Sequence, residues 1–240
     1  MIVLFTDFGL AGPYTGQMLA VLHREAPEVP AISLFADAPA GQPRPGAYLL
    51  AAYAAWFPAG TVFLAVIDPG VGGARRALMV EADGRRYVGP DNGLFELVLR
   101  RAAAARAWEI AWRPPSLSAS FHGRDLFAPV AARLAAGADP ASLGGPVAPR
   151  REAGWPDDLA EIVYIDHYGN AMTGLRGASV PPTARITAGP HAVAPAPTFS
   201  AVAEGAAFWY VNSNGLVEIA VNRGRAADAL GLAVGTPVVV

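Results

Sequence analysis

The sequence predicts an α/β protein: a Rossmann-like N-terminal α/β domain with a mostly parallel sheet, followed by a smaller C-terminal β-barrel domain. Three observations lead there. Up to about Ala136, continuous apolar runs of strand length alternate with segments of helical periodicity. From about Gly137 to Asp157 the chain is rich in Gly and Pro and loses periodicity. Beyond that stretch, short strand-like segments dominate.

The elements follow in order. Ile2 to Thr6 is a short apolar strand closed by Asp7 and Gly9. Tyr14 to Glu25 spaces its apolar residues as a helix does. Ala31 to Phe35 is a second strand, Asp37 to Gly46 a Pro- and Gly-rich loop, Ala47 to Phe57 a helix, and Thr61 to Ile67 a third strand. Ala77 to Ala82 and Arg85 to Val88 flank Asp83-Gly84, a two-residue hairpin turn. Gly93 to Arg106 and Arg124 to Ala136 are expected to be helices. Gly144-Gly145-Pro146, Pro149 and Trp155-Pro156 mark a linker, which divides an N-terminal domain over 1–150 from a C-terminal domain over 157–240. In the second domain, Glu161 to Ile165, Ala171 to Leu175, Ala184 to Thr187, Ala207 to Val211, Val217 to Val221 and Pro237 to Val240 are expected strands, with one helix over Arg225 to Leu230.

Composition removes several chemistries. The chain has 240 residues, 53% hydrophobic and 16% charged, and a net charge of −2. It contains no Cys, which removes thiol nucleophiles and thiolate metal sites. It contains no Lys, which removes Schiff-base chemistry and the P-loop lysine. No basic block supports nucleic-acid binding, and no apolar run is long enough for a membrane span. The N-terminus reaches Asp7 without a basic segment or a cleavage site, so a cytoplasmic location is expected.

In open α/β sheets ligands sit at the carboxyl ends of strands. Distinctive polar residues fall there: Thr6-Asp7-Phe8-Gly9, Asp68-Pro69-Gly70-Val71-Gly72-Gly73, and Gly89-Pro90-Asp91-Asn92-Gly93. Asp7 can cap the next segment or grip a diol through both carboxylate oxygens. Asp91-Asn92-Gly93 reads as a turn or as ligand contacts, and Arg75-Arg76 as a solvated pair or as functional cations. His122, between Phe121 and Gly123-Arg124-Asp125, is a titratable ring at a loop-to-helix junction, a common place for acid/base groups. His23 reads as surface and His191 as incidental. In the second domain, Asp166-His167-Tyr168-Gly169-Asn170 and Asn212-Ser213-Asn214-Gly215 are turns, or supply polar groups to a ligand. Tyr168, Phe199 and Trp209 can stack on a flat ring or fill core.

Taken together these stretches resemble the S-adenosylmethionine hydroxide adenosyltransferases, relatives of the fluorinases and chlorinases. The blocks are Thr6 to Gly9, Val66 to Gly72 with Arg75-Arg76, Tyr87-Val88 with Pro90 to Gly93, Phe121 to Phe127, Asp166 with Gly169-Asn170, and Ser213 with Gly215 to Asn222. They span nearly the whole chain in family order. The resemblance implies a trimer with active sites between one subunit's N-terminal domain and the next subunit's C-terminal domain. It implies a catalytic Asp68, Arg75 and His122, and a ribose-binding Asp7. The methionine and adenine portions fall to Asp166, Tyr168, Asn170, Phe199, Ser213, Glu218 and Val221. One departure stands out: where the family carries an Asp-x-Thr-His stretch after the second strand, this chain has Ser33-Leu34-Phe35-Ala36.

The implied reaction is attack of water or hydroxide on ribose C5′, giving adenosine and methionine. The sulfonium leaves as a neutral thioether, so neither a metal nor a redox cofactor is expected. Asp68 and His122 are expected to orient the water, and either can take its proton; Arg75 fixes Asp68 by a forked hydrogen bond. Three competing readings remain: a metal-assisted phosphohydrolase built on Asp7, Asp68 and Asp91, a non-catalytic S-adenosylmethionine or adenosine sensor, and a halide-using transferase.

Overall fold

The computed structural model describes residues 1–240, which fall into two compact units. The first comprises Met1–Ala51 and Phe57–Glu152, the second Ala52–Trp56 and Ala153–Val240. No helix is long and apolar enough to cross a membrane.

The first unit is built on a seven-stranded sheet. Its strands are β1 (Ile2–Thr6), β2 (Ala31–Phe35), β3 (Val62–Val66), β4 (Ala77–Ala82), β5 (Arg85–Pro90), β6 (Ala105–Ile110) and β7 (Gly144–Pro146), in the order β2-β1-β3-β5-β4-β6-β7. The β2-β1-β3-β5 ladders are parallel; β4, β6 and β7 extend the sheet antiparallel. Every residue of β1 and β3 is buried, as expected of parallel strands covered on both faces. Ile2, Leu4, Val62 and Leu64 pack into one core with Met18 and Leu22 of α1 (Tyr14–Glu25) and with Val130 and Leu134 of α4 (Ala128–Ala135). Alternation turns Val3, Phe5 and Phe63 to the opposite face, where Phe63 stacks on Tyr87 at 5.1 Å. Helix α2 (Pro43–Ala54) packs closely through Gly46: a Cβ there would meet Ile67 Cδ1 at 2.4 Å.

Three sequence expectations for this unit are corrected. The helix expected over Gly93 to Arg106 is only α3 (Glu96–Arg101). Ala105–Ile110 is a strand instead, because pairing with β4 along five residues outweighs the helix propensity of Ala and Arg. The Gly144-Gly145-Pro146 stretch is not plain linker but edge strand β7, where Gly144 lets the backbone approach Glu109. A Cβ on Gly144 would sit 2.0 Å from the Glu109 carbonyl oxygen. Pro146 needs no ladder partner at an edge. Helix α2 also begins earlier than expected, its Pro43 sitting in the first turn where no donor is lost.

The second unit is a seven-stranded sheet in the order β14-β10-β11-β12-β13-β9-β8. The strands are β8 (Leu159–Ile165), β9 (Ala171–Arg176), β10 (Ile186–Ala188), β11 (His191–Pro195), β12 (Ala207–Val211), β13 (Leu216–Val221) and β14 (Val238–Val239), with helix α5 at Ala226–Leu230. Glu161 bridges to Pro237 and Ile162 exchanges backbone hydrogen bonds with Gly235 and Thr236, which brings β8 against the chain entering β14 and closes the sheet toward a barrel. Ile162, Val193, Trp209, Val217 and Ile219 fill it. Trp209 is therefore core, its Nε1 donating to Ala184, and is not a stacking surface for a ligand. His191 lies on β11 rather than in a loop.

Candidate active site

Adjacent parallel strands β1 and β3 end side by side, so Asp7 and Asp68 emerge at the same sheet edge. After Asp68 the chain turns back on itself: Val71 N–H donates to the Asp68 carbonyl and Gly73 N–H to that of Gly70. Gly72 takes φ +77°, the left-handed region that glycine adopts without strain. This turn returns Arg75 to Asp68. The guanidinium donates Nε to Oδ1 at 3.1 Å and to Oδ2 at 3.0 Å, and Nη2 to Oδ2 at 2.5 Å. The Asp68 and Arg75 side chains are only 5% and 12% exposed. The Arg75 guanidinium also lies over the Phe127 ring, 5.2 Å from its centroid.

His122 reaches the pair from a distant part of the chain. It precedes a π-helical stretch, Gly123–Phe127, that leads into α4. Such stretches widen a helix by one residue and recur at functional sites. The approach segment is anchored by Asp125, which accepts from the Ser118 amide at 2.9 Å and from Arg124. Phe121 packs edge-on against Phe8 at 5.7 Å and Tyr14 at 5.5 Å. The result places His122 Nδ1 2.9 Å from Arg75 Nη2. Burial first, then the Arg75 charge, holds the imidazole pKa below its ordinary value, and Asp68 only partly opposes this.

Asp7, Asp68 and His122 line one small cavity of about 120 Å³ with Phe8, Val71 and Phe121. Asp7 Oδ2 accepts from the Gly41 amide at 2.8 Å. Burial, with a smaller push from Asp68, raises the Asp7 pKa. Asp91 does not join them. It accepts from Arg76 Nε at 2.8 Å and from the Arg150 amide, so Arg76 and Asp91 are structural. Asn92 likewise ties its amide to the Ile67 carbonyl. The three aspartates a metal-assisted phosphohydrolase would need are not gathered, and no group of three His, Asp or Glu side chains is placed to hold a metal ion.

The second unit carries a larger cavity of about 790 Å³. It is lined by all seven residues singled out in this domain: Asp166, Tyr168, Asn170, Phe199, Ser213, Glu218 and Val221. Asp166 is held by Asn170, whose backbone and side-chain amides donate to its two oxygens at 2.8 and 2.9 Å. Phe199 packs edge-on against Phe208 and Tyr210. Tyr168 stands 73% exposed at the rim. Sequence reading missed Tyr53, Met172 and Tyr210 in this lining, whereas Asn212 belongs to the turn already read as a source of polar groups to a ligand. Tyr210 could have been found from strand alternation, since it faces away from the core residue Trp209 and directly opposes Glu218. Tyr53, from the end of α2, left no local signal.

Comparison with known proteins matches both parts of the chain to one family. Residues 2–144 match the SAM hydroxide adenosyltransferase N-terminal domain and residues 160–239 the corresponding C-terminal domain. The chain is 42% identical to an (R)-S-adenosyl-L-methionine hydrolase of Thermus thermophilus, over 99% of this chain and 98% of the relative. It is 40% identical to a protein of the same name from Salinispora tropica, over 96% and 93%. Among solved structures, an uncharacterized conserved protein from Thermotoga maritima superposes with a TM-score of 0.89 at 30% identity, covering 99% of this chain and 98% of that one.

Proposed function

The chain belongs to the SAM hydroxide adenosyltransferase family, and from that premise we propose that it hydrolyses S-adenosyl-L-methionine, in the (R) form its relatives' names specify. Water attacks ribose C5′, adenosine and L-methionine are the products, and the catalytic set is Asp68, Arg75 and His122. The observation that carries this reading is the continuous hydrogen-bonded chain Asp68–Arg75–His122, whose two ends line one cavity with Asp7.

The chemistry fits what these groups can do. Water is a weak nucleophile and has to be held in line with the C5′–S bond while it loses a proton. Asp68 is fixed in orientation by a forked guanidinium contact, and the Asp7 carboxylate is suited to a ribose diol. The leaving thioether needs no acid catalyst, so the reading calls for no metal or redox cofactor. Asp166, Tyr168, Asn170, Phe199 and Ser213, with Val221, would receive the methionine and adenine portions.

We also propose a homotrimer in which the catalytic cavity of one subunit meets the larger cavity of the next. Size supports it: small-ligand sites are typically about 300–1,000 Å³, well above the 120 Å³ beside Asp68. A cytoplasmic location belongs to the same proposal.

The test is to incubate the purified protein with the (R) and (S) sulfonium forms of S-adenosyl-L-methionine in chloride and in fluoride buffers. Adenosine and methionine should appear in equal amounts, faster from the (R) form, with no halogenated nucleoside. Calorimetric binding without product would instead favour a non-catalytic sensor.

A further inference from the structure

We propose that His122 serves the reaction as a hydrogen-bond donor, holding the attacking oxygen through Nε2–H, while the proton lost by water goes to Asp68. This rests on the reading of Asp68, Arg75 and His122 as the water-activating set.

Arg75 Nη2 lies 2.9 Å from Nδ1 of His122. A guanidinium has five donor hydrogens and no acceptor, so Nδ1 is the acceptor of this contact. A neutral imidazole carries one N–H, which is then on Nε2. In that tautomer Nε2 has a hydrogen to give and no free lone pair to take a proton. Acting as a base through Nε2 would require the ring hydrogen on Nδ1, where it would oppose the N–H of Arg75. An imidazolium meets the same conflict, in keeping with burial and the Arg75 charge holding the ring pKa down.

Asp68 is the basic group that remains in this cavity close to the ring. Its Oδ2 takes two donors from Arg75, but Oδ1 takes one, and a carboxylate oxygen offers two lone pairs. Oδ1 therefore keeps capacity for a water O–H. Asp7, the other carboxylate of the cavity, is taken up by the ribose diol in the reading this rests on. Three of the water's four directions are then defined, and its second hydrogen stays on the oxygen as the product hydroxyl. One lone pair accepts from His122 Nε2–H, one hydrogen points to Asp68 Oδ1, and the second lone pair faces C5′. As the O–C5′ bond forms, the C5′–S bond breaks with its electron pair left on sulfur as a neutral thioether. The proton passes to Asp68 and from there to solvent.

Full-length protein labelled with ¹⁵N-histidine should show the His122 ring protonated at Nε2 and bare at Nδ1, the signal being assigned by its absence from His122→Gln. In that variant the glutamine carbonyl can accept from Arg75 while its amide donates where Nε2–H stood. Its kcat should stay within about tenfold of the parent, whereas His122→Ala and Asp68→Asn each lose about 10²-fold or more. A ring protonated at Nδ1 overturns the donor role, whatever the variants do. So does a folded, substrate-binding His122→Gln as slow as His122→Ala. If instead His122→Ala and Asp68→Asn both turn over like the parent, the site assignment itself fails.

Discussion

Tyr210 and Glu218 stand directly opposite each other on β12 and β13, and the phenol donates to Oε1 of the carboxylate over 2.5 Å. Asn212 Nδ2 donates to Oε2 at 2.7 Å, and Asn212 Oδ1 accepts from the amides of Asn214 and Leu216. Glu218 is 2% exposed. It thus shapes the turn that carries Ser213, acting through Asn212 as a positioning residue. Burial raises its pKa against the pull of these two donors, and burial together with the carboxylates pushes the Tyr53 hydroxyl up to about 12.

Glu218→Gln turns one acceptor into a donor and leaves Asn212 or Tyr210 unmatched. An unmatched buried donor costs about 1–3 kcal/mol, at about 1.4 kcal/mol per tenfold. KM for S-adenosylmethionine should rise roughly 5- to 150-fold, with a smaller change in kcat. Steady-state kinetics giving an unchanged KM would contradict the positioning role.

Gly72→Ala should disable the loop that returns Arg75. A Cβ at this position would lie 2.5 Å from the Ala119 carbonyl oxygen, a backbone atom with little room to move, and φ +77° is unfavourable to alanine. Overpacking of this kind costs about 1–3 kcal/mol. Thermal unfolding should detect that loss, together with a fall in kcat larger than that of an exposed control such as Gly189→Ala, where no atom lies within reach of a Cβ.

Glu96 anchors the first unit from inside. Only 1% of its side chain is exposed, and it accepts from Arg100, Arg151 and the Glu152 amide. Burial alone would raise its pKa, but the Arg151, Glu152 and Arg100 contacts outweigh burial and hold it below 4.5. A depressed folded-state value means the stabilisation is present above the unfolded pKa and lost as pH falls through the folded one. Glu96→Gln should cost about 1–3 kcal/mol at pH 7 by urea unfolding, the half-exposed Arg151 limiting the loss. The gap to the parent should narrow below about pH 4.5.

His122 gives a second pH dependence. Its folded-state pKa lies below 6.5, so the unfolded chain binds the proton first. The ring's contribution to stability is complete above 6.5 and disappears as pH falls from 6.5 through the lowered folded value. The turnover profile should show an acid limb with an apparent pKa below 6.5. His122→Gln should flatten that part of the stability profile, and a limb that persists in this variant would assign the titration elsewhere.

Much of the architecture was legible because apolar runs and turn residues agree locally. Ile2 to Thr6, Tyr14 to Glu25 and the hairpin at Asp83-Gly84 fall where the sequence puts them. Ala105–Ile110 and Gly144–Pro146 were not legible, since a strand rich in Ala and Arg and an edge strand rich in Gly gain their structure from partners distant in sequence. Within the site, Asp7, Asp68 and His122 announced themselves by residue type at strand and helix ends. What each polar side chain already binds was not legible: the residue types of Asp166 and Glu218 give no sign that Asn170 holds the first and Tyr210 and Asn212 the second.

Hydrolysis of S-adenosylmethionine in ¹⁸O-water, followed by mass analysis of both products, tests the central claim most directly. Attack of an activated water on C5′ predicts one ¹⁸O on the adenosine 5′-oxygen and none on methionine. Unlabelled adenosine, or label carried by methionine, would contradict it.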